Sequence, residues 1–273
     1  MIQADDWKGR VGQAWAAEWQ RTDRAFSPLS RRLADLLAQI ATDRGRAIDI
    51  GCGAGETSLA LADLRPELSV TGVDLSEELI GVARTRAGSR ANVAFHLGDA
   101  AQVPAAPGSV DLFVSRHGVM FFEDPVAAFS AFRLAAAPGA RLIFTCFRSW
   151  RENRFASDVG DILGEAAPPP RNPGPFAFAD EAHVRSILGS AGWRESAAEP
   201  VDFAFRTGDG PDPIADAMSF LTRIGPAARA LRDAPEAERG PLLDALANAC
   251  AARLADGTVD FPAAAWLWTA TAQ

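Results

Sequence analysis

Ala47-Ile48-Asp49-Ile50-Gly51-Cys52-Gly53-Ala54-Gly55, a short apolar run interrupted by an acid and followed by three alternating glycines, decides the fold of this chain. The run at 47–50 is too short for a helix and suits a strand buried on both faces. Glycines in the turn after it let a ligand approach the backbone where a Cβ would stand in the way. Glu56, which opens the next segment, suits the positive end of a helix.

Outward from that turn the same rhythm repeats. Apolar runs at 70–73, 93–97, 110–115 and 141–146 alternate with helix-length stretches. These carry Leu59 and Leu61, then Leu79, Ile80 and Val82, then Val126, Phe129, Phe132 and Leu134. Such alternation predicts right-handed βαβ units, an α/β fold with a parallel sheet between two helical layers. Ligands of these sheets sit beyond the C-terminal strand ends, so the last residues of each strand are the ones to examine. A sixth strand is expected within 193–205 and a last one within 264–271.

Upstream, Trp7, Val11, Trp15 and Trp19 recur at helical spacing and predict a helix over 5–20, weakened by Gly9 and Gly12. A second helix is expected from Ser27 as cap and Pro28 at its first position, with Leu29, Leu33, Leu36, Leu37 and Ile40 as its apolar stripe. After Trp150 come a short helix at 155–163, a proline-rich connection at 168–175 and a helix capped by Asp180 that ends at Gly189 or Gly192. Two more helices are expected at 213–224 and 241–254. The expected organisation is one domain over 1–273. Residues 1–44 form an N-terminal helical cap, 45–150 a cofactor-binding core, and 151–273 the remaining sheet with helical insertions that cap the substrate.

Composition narrows the function. At 273 residues, 48% hydrophobic and 23% charged, the chain can bury a sizeable core. Its apolar runs fall short of the roughly 20 residues of a membrane span. Its N-terminal Asp5, Asp6 and Trp7 are unlike a secretory leader. A cytoplasmic protein is expected, with no nucleic-acid partner given the net charge of −8. The three cysteines, Cys52, Cys146 and Cys250, fit reduced thiols, and with the three histidines they make no metal-ligand spacing.

Glu56 also bears on the ligand. A dinucleotide fingerprint wants a third glycine there, and a carboxylate in the first helical turn repels a pyrophosphate. A ligand without phosphate and with positive charge is compatible. Asp74 ends the second strand roughly twenty residues past the turn, where a carboxylate accepts from both hydroxyls of a ribose. Asp99, after the third strand, is placed to accept from an adenine amine, or it is simply a turn former.

Taken in order, residues 47–55, Val73-Asp74-Leu75-Ser76, Gly98-Asp99-Ala100, Val110-Asp111-Leu112-Phe113-Val114-Ser115 and Ala137-Pro138-Gly139-Ala140-Arg141-Leu142 resemble the successive motifs of class I S-adenosyl-L-methionine-dependent methyltransferases. The likeness is greatest to the small-molecule branch that includes quinone-biosynthesis enzymes. Ala191-Gly192-Trp193 resembles that family's closing helix. The resemblance implies a Rossmann-like, doubly wound, seven-stranded sheet with its last strand antiparallel, and S-adenosyl-L-methionine as cofactor. It implies that Gly51, Gly53 and the backbone near Ser115 hold the methionine portion, Asp74 the ribose, and Asp99 with Ala100 the adenine. Asp49, Gly55 and Leu75 complete the expected cofactor site. This chain departs from the pattern at Ala140, where a second glycine is usual, and at Met120 and Phe121, where histidines often precede the Asp-Pro pair.

The expected activity is methyl transfer to a small, apolar or aromatic acceptor by a monomer or homodimer; a non-catalytic cofactor-binding scaffold and a nicotinamide oxidoreductase are the alternatives. For a hydroxyl or acidic carbon, His117 just past the fourth strand is the candidate base; otherwise it lines the pocket. Trp15, Arg116, Phe121, Arg148 and Trp150 are the candidate acceptor-pocket residues, with Arg148 either a carboxylate clamp or a solvated charge.

Overall fold

A computed structural model describes residues 4–102, 106, 108–164, 167–168 and 171–273. Its N-terminal part holds α1 (Ala4–Trp7), α2 (Arg10–Ala17) and α3 (Trp19–Ile40). The helix expected over 5–20 is therefore in three pieces, jointed at Gly9 (ψ −135) and at Glu18 (φ −107, ψ 17). Ser27 caps nothing, because α3 runs through it and carries Pro28 internally. Burial explains this: Thr22, Ala25 and Phe26 extend the stripe of Leu29, Leu33 and Leu37, and that contact offsets the one ladder bond Pro28 cannot donate.

The core then alternates as expected: β1 (Arg44–Ile50), α4 (Glu56–Leu64), β2 (Glu67–Asp74), α5 (Glu77–Ala87), β3 (Val93–Leu97), β4 (Val110–Arg116), α6 (Pro125–Ala135) and β5 (Ala136–Phe147). Ser76 caps α5 by accepting from the Leu79 amide, and Asp124 caps α6 ahead of Pro125. The second half holds α7 (Arg154–Ile162), α8 (Glu181–Ser190), β6 (Arg194–Gly208), α9 (Pro213–Leu221), α10 (Pro226–Asp233), α11 (Glu236–Ala251), β7 (Leu254–Ala255) and β8 (Thr258–Thr271). Asp180 caps α8, accepting from the Ala182 and His183 amides. α10 was not expected, and α11 starts ahead of Pro241, with Glu236 and Glu238 in its first turn at the positive helix end. The proline-rich connection lies partly outside the described residues.

Strand order is β3-β2-β1-β4-β5-β8-β6, parallel except for β8, which runs antiparallel between β5 and β6. This is the expected seven-stranded sheet; the two-residue β7 pairs with β8 as an eighth strand. Side chains alternate across it. Leu112, Val114 and Ile143 pack under Leu33 and Leu37, whereas Phe113, Leu142 and Phe144 meet Phe129, Phe132 and Trp193 on the other face. Among the described residues no helix is long and apolar enough to cross a membrane.

Candidate active site

The glycine turn follows β1, and Gly51, Gly53 and Gly55 all have positive φ, at 63, 54 and 84°. Their roles differ. A Cβ on Gly51 would lie 2.9 Å from the Gly118 Cα, so this glycine lets the loop after β4 close onto the turn. A Cβ on Gly55 would meet the Phe95 ring at 2.8 Å, so packing against β3 also demands a glycine here. At Gly53 nothing lies within 4 Å of that position, so its face is open to a ligand.

Asp74 holds the turn in place. One carboxylate oxygen accepts from the Gly53 amide and the other from the Ser76 amide, both at 2.9 Å. Each oxygen keeps a further lone pair, which suits the two hydroxyls of a ribose. Burial pushes the carboxyl pKa up while the amides pull it back. Asp49 lies deeper, 1% exposed, with one oxygen accepting from Ser58 Oγ at 2.6 Å and Oδ1 buried without a hydrogen-bond partner. Burial raises its pKa to about 7. A buried carboxylate with a free oxygen beneath an open glycine face fits a cationic ligand. Asp99 accepts from the Ala101 amide at 2.9 Å and from Gln102 Nε2 at 3.1 Å, so it forms its own turn beside half-buried Ala100. Leu75 is half-buried.

The loop after β4 forms the opposite wall. Ser115 Oγ donates to Ile50 O at 2.7 Å and accepts from the Gly118 amide at 3.1 Å, which fastens β1 and β4 at their tips. Arg116, expected in the acceptor pocket, instead turns to α3 and α4. It donates to Ser30 Oγ and Asp23, lies 3.4 Å from Glu56, and covers the Phe26 ring. His117 has φ +61, and its Nδ1 is 2.8 Å from Thr145 Oγ1. The imidazole lies 4.1 Å from the Phe147 ring and 5.0 Å from that of Phe26, with Nε2 buried and without a hydrogen-bond partner. Burial, then the Arg116 charge, hold its pKa well below the ordinary value.

The N-terminal helices close over this edge of the sheet. Gly12 packs on Ser76, where a Cβ would come within 2.3 Å of Oγ. Trp7 meets Phe121 edge-on at 5.1 Å and Trp15 at 5.8 Å, so these two expected pocket residues, Trp15 and Phe121, join through Trp7. Two others are engaged with neighbouring residues. Arg148 is committed to Asp202 and Glu152, leaving no free fork for a carboxylate. Trp150 is 7% exposed and packs on Phe176 and Gly160, a core residue of the α7 layer. A hollow of about 310 Å³ lined by Ile40, Asp111 and Arg141 opens at the far, N-terminal strand ends.

Three residues of this site, Phe26, Phe205 and Thr145, are absent from the sequence-based expectation. Phe26 lies 5.1 Å from Phe205, which stacks on Phe155 at 4.2 Å, giving an aromatic wall beside His117. A helix start at Pro28 leaves Phe26 outside the helix that in fact buries it. Thr145 carries a usable signal, a hydroxyl between Phe144 and Cys146 at the C-terminal end of a central strand.

Comparison with known proteins agrees with this geometry. The family described as Methyltransferase domain matches residues 48–144. Aklanonic acid methyltransferase DauC of Streptomyces sp. (strain C5) is 30% identical over 152 residues, covering 53% of this chain and 68% of that protein. Malonyl-[acyl-carrier protein] O-methyltransferase of Xylella fastidiosa (strain M23) is 30% identical over 128 residues, 46% of this chain and 43% of that one. Among solved structures, Haemonchus contortus phosphoethanolamine N-methyltransferase 2, in complex with phosphomonomethylethanolamine and S-adenosylhomocysteine, aligns with 100% of this chain and 61% of its own at TM-score 0.60 and 18% identity, a likeness of fold. The chain belongs to the class I S-adenosyl-L-methionine-dependent methyltransferases, and S-adenosyl-L-methionine is its cofactor.

Proposed function

We propose that this enzyme methylates a small, apolar or aromatic acceptor at a site beside His117, with residues 1–44 and the insertions of 151–273 closing over a cofactor held by 45–150. The observation that carries the reading is the imidazole of His117, set between the Phe26 and Phe147 rings one residue from the contact of Gly118 with the glycine turn. When bound, the cofactor supplies a methyl group on a sulfonium. Gly53 and Asp74 orient it, and Asp49 balances its positive charge from below. Asp99 and Ala100 flank the adenine, with Asp99's remaining lone pairs available to the amine. Alignment in a water-poor space supplies much of the rate of such an in-line displacement.

The aromatic wall of Phe26, Phe155 and Phe205 favours an apolar or aromatic acceptor. Relatives named for aklanonic acid and for demethylmenaquinone support a small-molecule substrate. Cys52, Cys146 and Cys250 are free and buried, in keeping with a cytoplasmic enzyme. Labelled methyl transfer to a panel of aromatic acids, phenols and amines tests the reading. Transfer to a panel member that Phe26→Ala and His117→Ala both impair is expected; transfer only to protein or nucleic acid would sink it.

A further inference from the structure

His117 and Thr145 are tied twice. The His117 amide donates to Thr145 O at 3.1 Å, and Nδ1 lies 2.8 Å from Thr145 Oγ1. Making both contacts takes the left-handed backbone at His117, which only glycine adopts freely. Thr145 is fully buried, and among the described residues its hydroxyl has the imidazole as hydrogen-bond partner.

Counting hydrogens fixes the direction of that bond. A neutral imidazole carries one N–H. If it sits on Nδ1 and points at Thr145, the threonine proton and the Nε2 lone pair are both stranded beside Phe26 and Phe147. If Oγ1–H donates to Nδ1 instead, one group remains, an Nε2–H. Buried N–H groups rarely stay unpaired, so this one calls for an acceptor atom from a ligand. Resting on the reading that His117 faces the acceptor, the geometry points to a neutral imidazole that presents Nε2–H to an oxyanion, a carboxylate or an ionised phenol or enol, with Thr145 as the positioning residue that sets the tautomer.

The step balances without any proton transfer. A lone pair of the acceptor oxygen forms the new O–CH3 bond, the S–CH3 pair returns to sulfur, and the positive and negative charges cancel. The apolar aromatic surroundings of the imidazole favour a reaction that consumes charge. A neutral hydroxyl in the same place would leave its proton on an imidazole that burial and Arg116 keep neutral. Of these two causes burial is the larger, and Arg116 is itself paired with Asp23 and Glu56.

The test reads the tautomer without needing the acceptor. In the full chain, 15N-labelled at histidine and saturated with S-adenosylhomocysteine, the His117 resonances are identified by their loss in His117→Ala. The proposal expects the proton on Nε2, retained in Thr145→Ser and lost or mixed in Thr145→Val. A proton on Nδ1 in the wild type overturns it, whether or not His117 faces the acceptor. Should Thr145→Val fail to fold, the wild type and Thr145→Ser decide. A second arm titrates the same complex with aromatic carboxylates and their matched carbinols, beginning with 2-naphthoate and 2-naphthylmethanol. The carboxylates are expected to bind at least about tenfold tighter, an advantage lost in His117→Ala. No preference in the wild type overturns the oxyanion assignment. A preference unchanged in His117→Ala, with the tautomer as expected, overturns the reading that His117 faces the acceptor.

Discussion

Replacing Asp49 by asparagine gives the sharpest test of the electrostatics beneath the glycine turn. Burial raises this carboxyl from 3.8 to about 7, against the lowering effect of the Ser58 hydrogen bond. About three units correspond to ~4 kcal/mol. The sign follows from proton binding. Between these two pH values the folded state holds a proton that the unfolded chain has released, so stability is full below pH 3.8 and is lost as pH rises through about 7. Above that pH the wild type carries the whole cost of an ionised, half-satisfied carboxylate. An asparagine side chain cannot ionise, keeps an acceptor for Ser58, and so removes the slope whatever its constant offset. From pH 5 to pH 8 the wild type should lose ~3 kcal/mol more than Asp49→Asn, measured by urea denaturation without cofactor. Curves for the two proteins that fall in parallel, within about 0.5 kcal/mol, would refute the argument.

Three further outcomes follow from the packing and ion pairs. Gly12→Val forces α2 off Ser76, so faster proteolysis before α3 and weaker S-adenosylhomocysteine binding are expected; unchanged cleavage would detach α2 from the cofactor site. Glu18 is 1% exposed and accepts from Arg21 at 2.7 Å and Arg223 at 2.5 Å, both of which reach solvent, so Glu18→Gln should cost about 1 kcal/mol in chemical denaturation, and a loss near zero would mean that the joint between α2 and α3 carries no ionic tie to the α9 region. Arg148→Ala should leave methyl transfer unchanged and cost about 1 kcal/mol or less, because the guanidinium is spent on Glu152 and Asp202; loss of turnover with intact folding would restore it to the acceptor site.

The sheet was legible because its signals are local. Apolar runs with β-branched residues mark β1 to β5, and the glycine turn and Asp74 fall at the C-terminal ends of β1 and β2. Elements outside the alternation were harder. α3 runs through Ser27 and Pro28 because long-range burial of Phe26 outweighs a local helix-start pattern. α10 spans only eight residues, Pro226–Asp233, and its apolar side is made of alanines and one leucine, too short a segment for its period to stand out in the sequence. Within the site, backbone roles were legible and side-chain partners were not. Arg116 and Arg148 are expected at the acceptor pocket, yet each is paired with a carboxylate far away in sequence, Asp23 and Asp202. The tie from His117 to Thr145 depends on β4 and β5 lying side by side in the register that pairs Arg116 with Thr145, which no local spacing encodes.

The central claim, that the open face of Gly53 and the carboxylate of Asp74 hold the cofactor, is tested most directly by calorimetric titration of the wild type and Asp74→Ala with S-adenosyl-L-methionine, S-adenosylhomocysteine and NAD. The wild type should bind the first two at one site and not NAD, and Asp74→Ala should bind them at least about tenfold more weakly, the loss of a hydrogen bond to a charged group. Unchanged affinity in Asp74→Ala, or NAD binding with no response to the sulfonium, would contradict it.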